Sequence, residues 1–220
     1  MALLDELRDA VVDGQAKTAV AKATAGLAEG IPARIILREG LISAMARVGE
    51  LYEQGEFYVP EMLVAANAMQ EALAVLKPEL VADGVPAAAT VAIGTVRGDL
   101  HDIGKNLVAM ILEGAGFRIV DLGVDVAPEQ FVQAIRDGAD VIGMSALLTT
   151  TMVNMQGVIT AVAEAGLREQ ARIVVGGAPV TAEFAEAIGA DGFAPDASSA
   201  VRAVQQLLAA GAGRRDAPGG

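Results

Sequence analysis

Residues 90–106 read TVAIGTVRGDLHDIGKN, an apolar, β-branched run that passes into a turn and then into a helical pattern. The run over 90–96 predicts a buried β-strand, because its apolar residues are nearly continuous rather than alternating. The turn that follows contains His101, the only histidine among the 220 residues. This unit therefore indicates both the fold class and the first place to look for function.

Strand-like runs alternate with helical segments after residue 87. Strands are predicted over 90–96, 117–123, 139–144, 172–177 and 191–194, and helices over 105–114, 128–137, 152–165, 181–188 and 198–210. This alternation predicts a doubly wound α/β fold, a parallel five-stranded sheet with helices on both faces. Such sheets bind ligands outside the carboxyl ends of their strands, where the segments after Val96, Met144 and Gly176 are expected.

The first 80 or so residues have a purely helical pattern. Helices are predicted over 4–12 and 16–27, from Leu37 with Leu41, Met45, Val48 and Tyr52 on one face, and from Pro60 with Met62, Ala66, Met69, Leu73 and Leu76 on one face. Four short amphipathic helices can bury their apolar faces only together, so a small bundle is expected.

Proline and glycine mark the limits of the domains. Lys77-Pro78 is predicted to end the bundle, and the segment 82–86 is predicted to be a linker and hinge. The predicted organisation is a helical domain over 1–85, an α/β domain over 86–211 and a disordered tail over 212–220.

Composition narrows the classes of function. The net charge of −12 argues against nucleic-acid binding, which requires a basic patch. No run approaches the roughly 20 apolar residues of a membrane span, and the acidic start does not resemble a signal peptide. Without cysteine there is no disulfide and no thiolate metal site. A soluble, cytoplasmic protein is expected.

The single histidine raises the question of a cofactor. Asp99 stands two residues before His101, where a carboxylate can accept the imidazole Nδ1–H and leave Nε2 as a ligand. A zinc site needs three or four protein ligands, which one histidine and no cysteine can hardly supply. A cofactor that brings most of its own ligands, a cobalt corrinoid, fits this scarcity. A carboxylate-only Mg²⁺ or Ca²⁺ site remains an alternative, although it leaves His101 without a purpose.

The glycines around His101 do not form a nucleotide motif. No G-x-G-x-x-G follows the first strand, and five residues rather than four separate Gly98 from Gly104-Lys105, with Asn106 in place of Ser or Thr. Gly94, Gly98 and Gly104 instead permit a backbone that approaches a bulky planar ligand closely.

The segment GTVRGDLHDIGKN over 94–106 resembles the D-x-H-x-x-G signature of cobalamin-binding modules, with Asp99, His101 and Gly104 as the matching residues. The whole chain is similar to the cap and B12-binding module of methionine synthase and to the corrinoid proteins of three-component methyltransferase systems. The resemblance implies an N-terminal four-helix bundle cap, a flavodoxin-like B12-binding domain, and cobalamin (methylcobalamin or another cobalt corrinoid) as cofactor.

The resemblance also implies roles for particular residues. His101 would replace the cofactor's own benzimidazole as the lower axial ligand of cobalt, with Asp99 as its hydrogen-bond partner. Thr151 would extend the relay, in place of the family's serine, and Tyr58 and Met62 would lie over the upper face of the corrin. The other implied cofactor-binding residues are Gly94, Thr95, Gly98, Asp102, Ile103, Gly104, Ser145, Leu147, Thr149, Gly176, Gly177, Asp196 and Ala197.

Two pairs among these residues resemble parts of the site for the displaced nucleotide tail. Gly176 and Gly177 resemble the glycine pair against which the tail lies, where a Cβ would block a slot between sheet and helices. Ser145 and Thr149 resemble the hydroxyl residues that line the pocket.

The implied function is methyl transport. A corrinoid protein of this kind carries a methyl group on cobalt from a substrate:corrinoid methyltransferase to a second methyltransferase, whose acceptor is a folate or a thiol. A reductive activase would be a further partner, and we expect no catalysis without the partner methyltransferases. Two alternatives stay open: a stand-alone cobalamin module of a split methionine synthase, and a cobalamin-dependent sensor or regulator. The sensor would need a DNA-binding or signalling domain, for which this acidic chain has no room.

Overall fold

The computed structural model describes residues 2–82 and 89–215, whose contacts divide them into two compact units. The helical unit comprises 2–82 with 113–116, and the α/β unit comprises 89–112 with 117–215. The predicted domain boundary, and all of the predicted hinge except Ala82 itself, lie outside the described residues. Within those residues, no helix is both long enough and apolar enough to cross a bilayer.

The described helical unit contains four helices. They are α1 (Ala2–Val12), α2 (Ala16–Ala28), a continuous helix composed of α3 (Ala33–Ile35), a π-helical stretch (Ile36–Ile42) and α4 (Ser43–Glu53), and α5 (Val59–Ala82). Their apolar faces meet in a core that includes Leu7, Leu41, Val48, Met69 and Leu76. The predicted helical bundle is therefore confirmed.

The helix α5 does not end at Lys77-Pro78, as the sequence pattern predicted, but runs through Pro78 to Ala82. Proline removes the hydrogen bond to the carbonyl of Ala74, a residue that is exposed, so water can satisfy that group. Leu80 in the turn beyond is buried. Burial of this apolar side chain offsets part of the cost of an internal proline.

The two residues predicted to face a corrin lie near the start of α5: Tyr58 immediately precedes the helix and Met62 is in its first turn. The side chain of Tyr58 is 65% exposed, whereas Met62 is buried. Val59, Leu63 and Val64 are also exposed there, although the sequence pattern did not single them out. The roles of Tyr58 and Met62 towards a cofactor stay predictions.

The α/β unit is a doubly wound parallel sheet. Its strands are β1 (Thr90–Val96), β2 (Arg118–Val126), β3 (Val141–Ser145), β4 (Arg172–Gly176) and β5 (Gly192–Ala194), in the order β2-β1-β3-β4-β5. All neighbouring strands are parallel. Its helices are α6 (Ile103–Gly114), α7 (Pro128–Arg136), α8 (Thr149–Met152), α9 (Asn154–Glu164), α10 (Ala182–Ala187) and α11 (Ala197–Arg215). The predicted five-stranded, flavodoxin-like architecture is therefore confirmed.

The central strands are buried because helices cover the sheet. Every residue of β1 after Thr90 is buried. On one face, Phe131 of α7 and Met155 of α9 join the same apolar core as Ile142 of β3 and Ile173 of β4. This rigid core fixes the strand ends from which the loops leave.

The register of the strands brings their carboxyl ends to one edge. Thr95 pairs with Ser145, Ser145 with Gly176, and Gly176 with Ala194. Since β2 lies on one side of β1 and β3 on the other, the order in which successive strands are added to the sheet reverses at β1. A ligand crevice is expected at such a switch point, next to the loop that leaves β1.

Two helices differ in extent from the sequence prediction. The predicted helix over 152–165 is divided at Val153 into α8 and α9, so Thr149 and Thr151 lie in a helical turn rather than in a loop. The helix α11 reaches Arg215, within the tail that was predicted to be disordered from residue 212. In this segment Ala212, Arg214 and Arg215 are strong helix formers, and the helix continues in spite of Gly213. Residues 216–220 of the predicted tail lie outside the described residues.

Candidate functional site

The loop between β1 and α6 contains a paired histidine and carboxylate. Nδ1 of His101 lies 2.7 Å from Oδ1 of Asp99. An ionised carboxylate can only accept hydrogen bonds, so Nδ1 holds the proton and Nε2 presents its lone pair. The side chain of His101 is 52% exposed, whereas that of Asp99 is fully buried. The site therefore presents one oriented imidazole nitrogen on an otherwise buried support.

Asp99 accepts three further hydrogen bonds. The backbone N–H of His101 donates to Oδ1 over 3.0 Å, while the N–H of Leu147 and the hydroxyl of Thr151 donate to Oδ2 over 2.8 and 2.6 Å. Burial raises the pKa of the Asp99 carboxyl, but the Thr151 hydroxyl, these two backbone N–H groups and the His101 ring outweigh it and hold the pKa well below its ordinary value. Asp99 is thus a firmly ionised acceptor.

The backbone of His101 is anchored by Thr95. The hydroxyl of Thr95, which is fully buried, donates to the carbonyl of His101 over 2.9 Å. The side chain of Asn154 in α9 donates to the carbonyl of Arg97 over 2.7 Å. These bonds tie the loop to β1 and α9, so the imidazole stands on a fixed backbone.

The three glycines of the signature have three different structural settings. Gly98 has a φ of +82°, a turn conformation that few other residues adopt readily. At Gly94, a Cβ would lie 3.0–3.2 Å from side chains such as Val126 and Phe131, so a larger residue would force these neighbours to shift. At Gly104, in the first turn of α6, nothing lies within 4 Å of where a Cβ would be. The chain itself gives no reason for glycine at this third position.

The glycine pair Gly176-Gly177 at the end of β4 has a steric basis within the fold itself, and its contact with a cofactor stays a prediction. A Cβ at Gly176 would lie 2.6 Å from the carbonyl oxygen of Ala194, and at Gly177 only 1.9 Å from that of Ala146. Gly177 also has a φ of +122°. Close approach of the neighbouring backbone therefore demands glycine here, independently of any ligand slot.

The other residues predicted to bind a cofactor are spread along the same edge. Ser145 ends β3 half-buried, Thr149 begins α8 and is exposed, and Leu147 is also exposed. The carboxylate of Asp102 accepts a hydrogen bond from the Asn106 amide over 3.1 Å.

Two predicted residues at the end of β5 have structural partners. Asp196 accepts hydrogen bonds from the backbone N–H and the hydroxyl of Ser199, at 2.8 and 2.7 Å, and so caps α11. Ala197, the first residue of that helix, is buried. Their contact with a cofactor stays a prediction.

Three residues near the loop were missed by the sequence analysis. Lys105 is buried, and its ammonium lies 2.6 and 2.7 Å from the two carboxylate oxygens of Asp121 on β2. Asp125, at the end of β2, accepts a hydrogen bond from the N–H of Gly98 over 2.7 Å. Asp121 and Asp125 interrupt the otherwise apolar pattern of β2, and this was the available sequence signal. A buried lysine such as Lys105 needs a carboxylate partner of this kind.

The site suits a metal cofactor that supplies its own equatorial ligands. In the described ranges, no three His, Asp or Glu side chains converge as a metal cage built from protein ligands would require. One oriented imidazole is the available donor. Four exposed apolar side chains lie in the segments that follow β1 and β3 and offer a surface to a planar macrocycle: Leu100, Ile103, Leu147 and Leu148. The residues therefore fit a corrinoid.

Comparisons with known proteins match both units. Residues 89–205 and residues 3–77 each match a family model described as a B12 binding domain. A trimethylamine corrinoid protein of Methanosarcina acetivorans is 40% identical to this chain over 209 residues, which cover 94% of this chain and 97% of that protein.

Two solved structures have a similar fold. A cobalamin-binding protein from Desulfitobacterium hafniense gives a TM-score of 0.79 at 28% identity, covering 92% of this chain and 97% of that one. The methanol:cobalamin methyltransferase complex from Methanosarcina barkeri contains a chain with a TM-score of 0.82 at 27% identity, covering 94% of this chain and 80% of that one. The chain therefore belongs to the corrinoid-binding methyl-carrier proteins of methyltransferase systems.

Proposed function

We propose that this chain binds its corrinoid with the benzimidazole displaced and with His101 as the lower axial ligand of cobalt. In this role it carries a methyl group from a substrate:corrinoid methyltransferase to a second methyltransferase. The bound corrinoid supplies the cobalt that accepts and releases the methyl group. The observation that carries this proposal is the 2.7 Å pairing of His101 Nδ1 with the buried carboxylate of Asp99, which leaves Nε2 as the outward ligand.

Asp99 and Thr151 prepare the imidazole for ligation. A carboxylate behind a ligating histidine fixes the tautomer and raises the basicity of the ligand nitrogen. The hydroxyl of Thr151, 2.6 Å from Oδ2, holds the carboxylate itself in place. Together these residues keep the donor nitrogen oriented before any cofactor arrives, which reduces the entropy lost on binding.

The apolar residues around His101 supply surface rather than chemistry. Ile103 is 86% exposed and Leu100 is also exposed, both within two residues of the imidazole. Leu147 and Leu148 lie in the loop after β3, and the backbone N–H of Leu147 donates to the Asp99 carboxylate. A planar ligand that covered them would gain roughly 25 cal/mol for each Å² of apolar area removed from water.

The partners we propose are two methyltransferases and a reductive activase. One similar protein is a trimethylamine corrinoid protein, and one similar structure is a methanol:cobalamin methyltransferase complex. These relatives favour a small methylated amine or alcohol as the methyl source. The proposed final acceptor is a folate or a thiol bound to the second methyltransferase. The substrate enzyme would bind the methyl donor, and this chain would present the corrinoid to each enzyme in turn.

Nitrogen coupling to cobalt tests the proposed ligation. The protein is produced with ¹⁵N only in histidine, so that His101 is the one labelled residue. It is then loaded with hydroxocobalamin, reduced to the Co(II) state and examined by electron paramagnetic resonance. Ligation by His101 gives two-line ¹⁵N splitting, whereas retained benzimidazole gives three-line ¹⁴N splitting. The His101→Ala variant, the matched control, loses the two-line pattern.

A transfer assay tests the partners. Radiolabelled methyl groups from trimethylamine or methanol are supplied to the reduced, loaded chain with and without the corresponding substrate methyltransferase. Label is expected on this chain only when the enzyme is present. Label acquired without it would contradict the proposed division of labour.

A further inference from the structure

The edge strand β2 is irregular beside the histidine loop. Between the pair Ile93–Asp121 and the pair Val96–Val126, β2 contains two more residues than β1. Extra residues of this kind form β-bulges, which bend a strand and redirect its side chains, often next to functional sites. Here the second irregularity includes Asp125, the residue just before Val126.

Asp125 holds the entrance of the loop with two hydrogen bonds. Its carboxylate Oδ1 accepts from the N–H of Gly98 over 2.7 Å. Its own N–H donates to the carbonyl of Asp99 over 3.0 Å. The residue therefore contacts the peptide groups on both sides of the Gly98–Asp99 step, from which the buried carboxylate projects.

The backbone of Asp125 lies in a conformation that is uncommon for a residue with a side chain. Its φ is +52°, and no other non-glycine residue of the described ranges has a positive φ. Aspartate tolerates the left-handed region better than most residues but still at a cost. Such conformations persist where the surroundings determine them, and they cluster at functional sites.

We infer that Asp125 is a positioning residue for His101. The inference rests on the proposed function, in which His101 ligates cobalt. The Asp125 carboxylate fixes the Gly98 peptide, Gly98 orients Asp99, and Asp99 orients the imidazole. The start of α6, where the loop ends, has a separate bond to β2. The ammonium of Lys105 in α6 lies 2.6 Å from a carboxylate oxygen of Asp121 on β2.

Without the carboxylate, the N–H of Gly98 loses its acceptor, while Asn154 still holds the carbonyl of Arg97 and the N–H of Asp125 still holds the carbonyl of Asp99. Asp99 would then sample positions in which its bonds to Thr151 and His101 lengthen. The imidazole would lose its fixed tautomer and direction, whereas the apolar core of the sheet would be unaffected.

Three substitutions separate the carboxylate from the backbone conformation. Asp125→Asn keeps an acceptor oxygen for Gly98, removes the charge and tolerates the positive φ. Asp125→Gly adopts the positive φ freely but has no acceptor. Asp125→Ala has neither property. Urea unfolding of each apoprotein shows that it is folded before any other comparison.

Two measurements follow the imidazole. In the ¹⁵N-histidine apoprotein, nitrogen chemical shifts of the single imidazole report the tautomer. In the loaded Co(II) protein, the ¹⁵N splitting reports the fraction of cobalt bound by His101. In a separate sample loaded with radiolabelled corrinoid, loss of the label into excess unlabelled corrinoid gives the dissociation rate. Asp125→Gly and Asp125→Ala are expected to show mixed tautomers, a smaller two-line fraction and roughly tenfold faster dissociation, as for loss of one hydrogen bond to a charged group. Asp125→Asn should remain within about twofold of the wild type, since its amide keeps the bond.

The outcomes distinguish this inference from the proposed function. If folded Asp125→Gly matched the wild type in tautomer, splitting and dissociation rate, the positioning role would be overturned. If Asp125→Asn behaved like Asp125→Gly, charge rather than the hydrogen bond would be responsible and the inference would also fail. If the wild type showed no ¹⁵N splitting, the proposed ligation would be wrong, while the apoprotein tautomer would still decide whether Asp125 orients His101.

Discussion

The hydroxyl of Thr151 lies 2.6 Å from Oδ2 of Asp99 and 3.0 Å from the carbonyl oxygen of Leu148. One hydroxyl proton can serve only one of these acceptors at a time. The ionised carboxylate is the stronger acceptor, so it receives the proton. Threonine also restricts rotation about its Cα–Cβ bond more than serine does, which favours a fixed hydroxyl direction.

Replacing Thr151 by valine tests this hydrogen bond. Valine has nearly the same shape but no donor, so one acceptor site of the buried carboxylate is left without a partner. We expect the free energy of unfolding at neutral pH to fall by about 1–3 kcal/mol. Urea unfolding measures it, and Thr151→Ser, which keeps the hydroxyl, should lose less than about 1 kcal/mol. Equal stabilities for the valine variant and the wild type would contradict the bond.

The depressed pKa of Asp99 predicts a specific pH dependence of stability. A carboxyl whose pKa is lowered by folding stabilises the protein above its unfolded-state pKa of about 3.9, and that contribution is lost as the pH falls below this value. The Asp99→Asn variant lacks this contribution. Its side-chain NH₂ also faces hydrogen-bond donors, such as the Leu147 N–H, where the carboxylate accepted their hydrogen bonds. The gap in unfolding free energy between wild type and variant should be largest near pH 7 and shrink below about pH 4. A gap that stays constant over this range would show that ionisation of Asp99 does not stabilise the fold.

Most of the α/β fold could be predicted because its signals are local. The apolar run over 90–96 and the turn with Asp99 and His101 are contiguous in the sequence, and the structure pairs those two side chains directly. The extension of α5 through Pro78 could not be predicted, because it accompanies burial of Leu80, which depends on tertiary packing rather than on local sequence.

The contacts that hold the histidine loop against β2 join residues that are distant in the sequence. Lys105 meets Asp121 sixteen residues away, and Asp125 meets Gly98 across 27 residues. Those pairs exist only because β2 lies beside β1 and contains extra residues there. A bulge has no local sequence signature here, so the sequence showed the loop but not what holds it.

Gly104 offers a test that separates ligand binding from folding. Nothing in the described structure lies within 4 Å of a Cβ at this position, which is in the first turn of α6. Gly104→Ala is therefore expected to leave the unfolding free energy unchanged or raise it by up to about 1 kcal/mol. Its affinity for hydroxocobalamin should fall at least tenfold if glycine serves close approach of the ligand. Equilibrium dialysis measures the affinity, and wild-type binding by this variant would remove Gly104 from the cofactor site.

Substitution of Gly177, directly after β4, is expected to lower the free energy of unfolding, in contrast to substitution of Gly104. In Gly177→Ala, the new Cβ would lie 1.9 Å from the carbonyl oxygen of Ala146, in a backbone with a φ of +122°. Neither the strand end nor the facing loop can move without breaking sheet contacts, so the free energy of unfolding should fall by more than about 3 kcal/mol.

The matched control for Gly177→Ala is Gly157→Ala. Gly157 is exposed within α9, and nothing lies within 4 Å of its added Cβ. Alanine there should raise the free energy of unfolding by about 0.5–1 kcal/mol, through helix propensity. Urea unfolding of both apoproteins makes the comparison. If Gly177→Ala unfolded at the wild-type midpoint, the close approach of these two backbones would be wrong, and the ligand slot would again be the reason for glycine after β4.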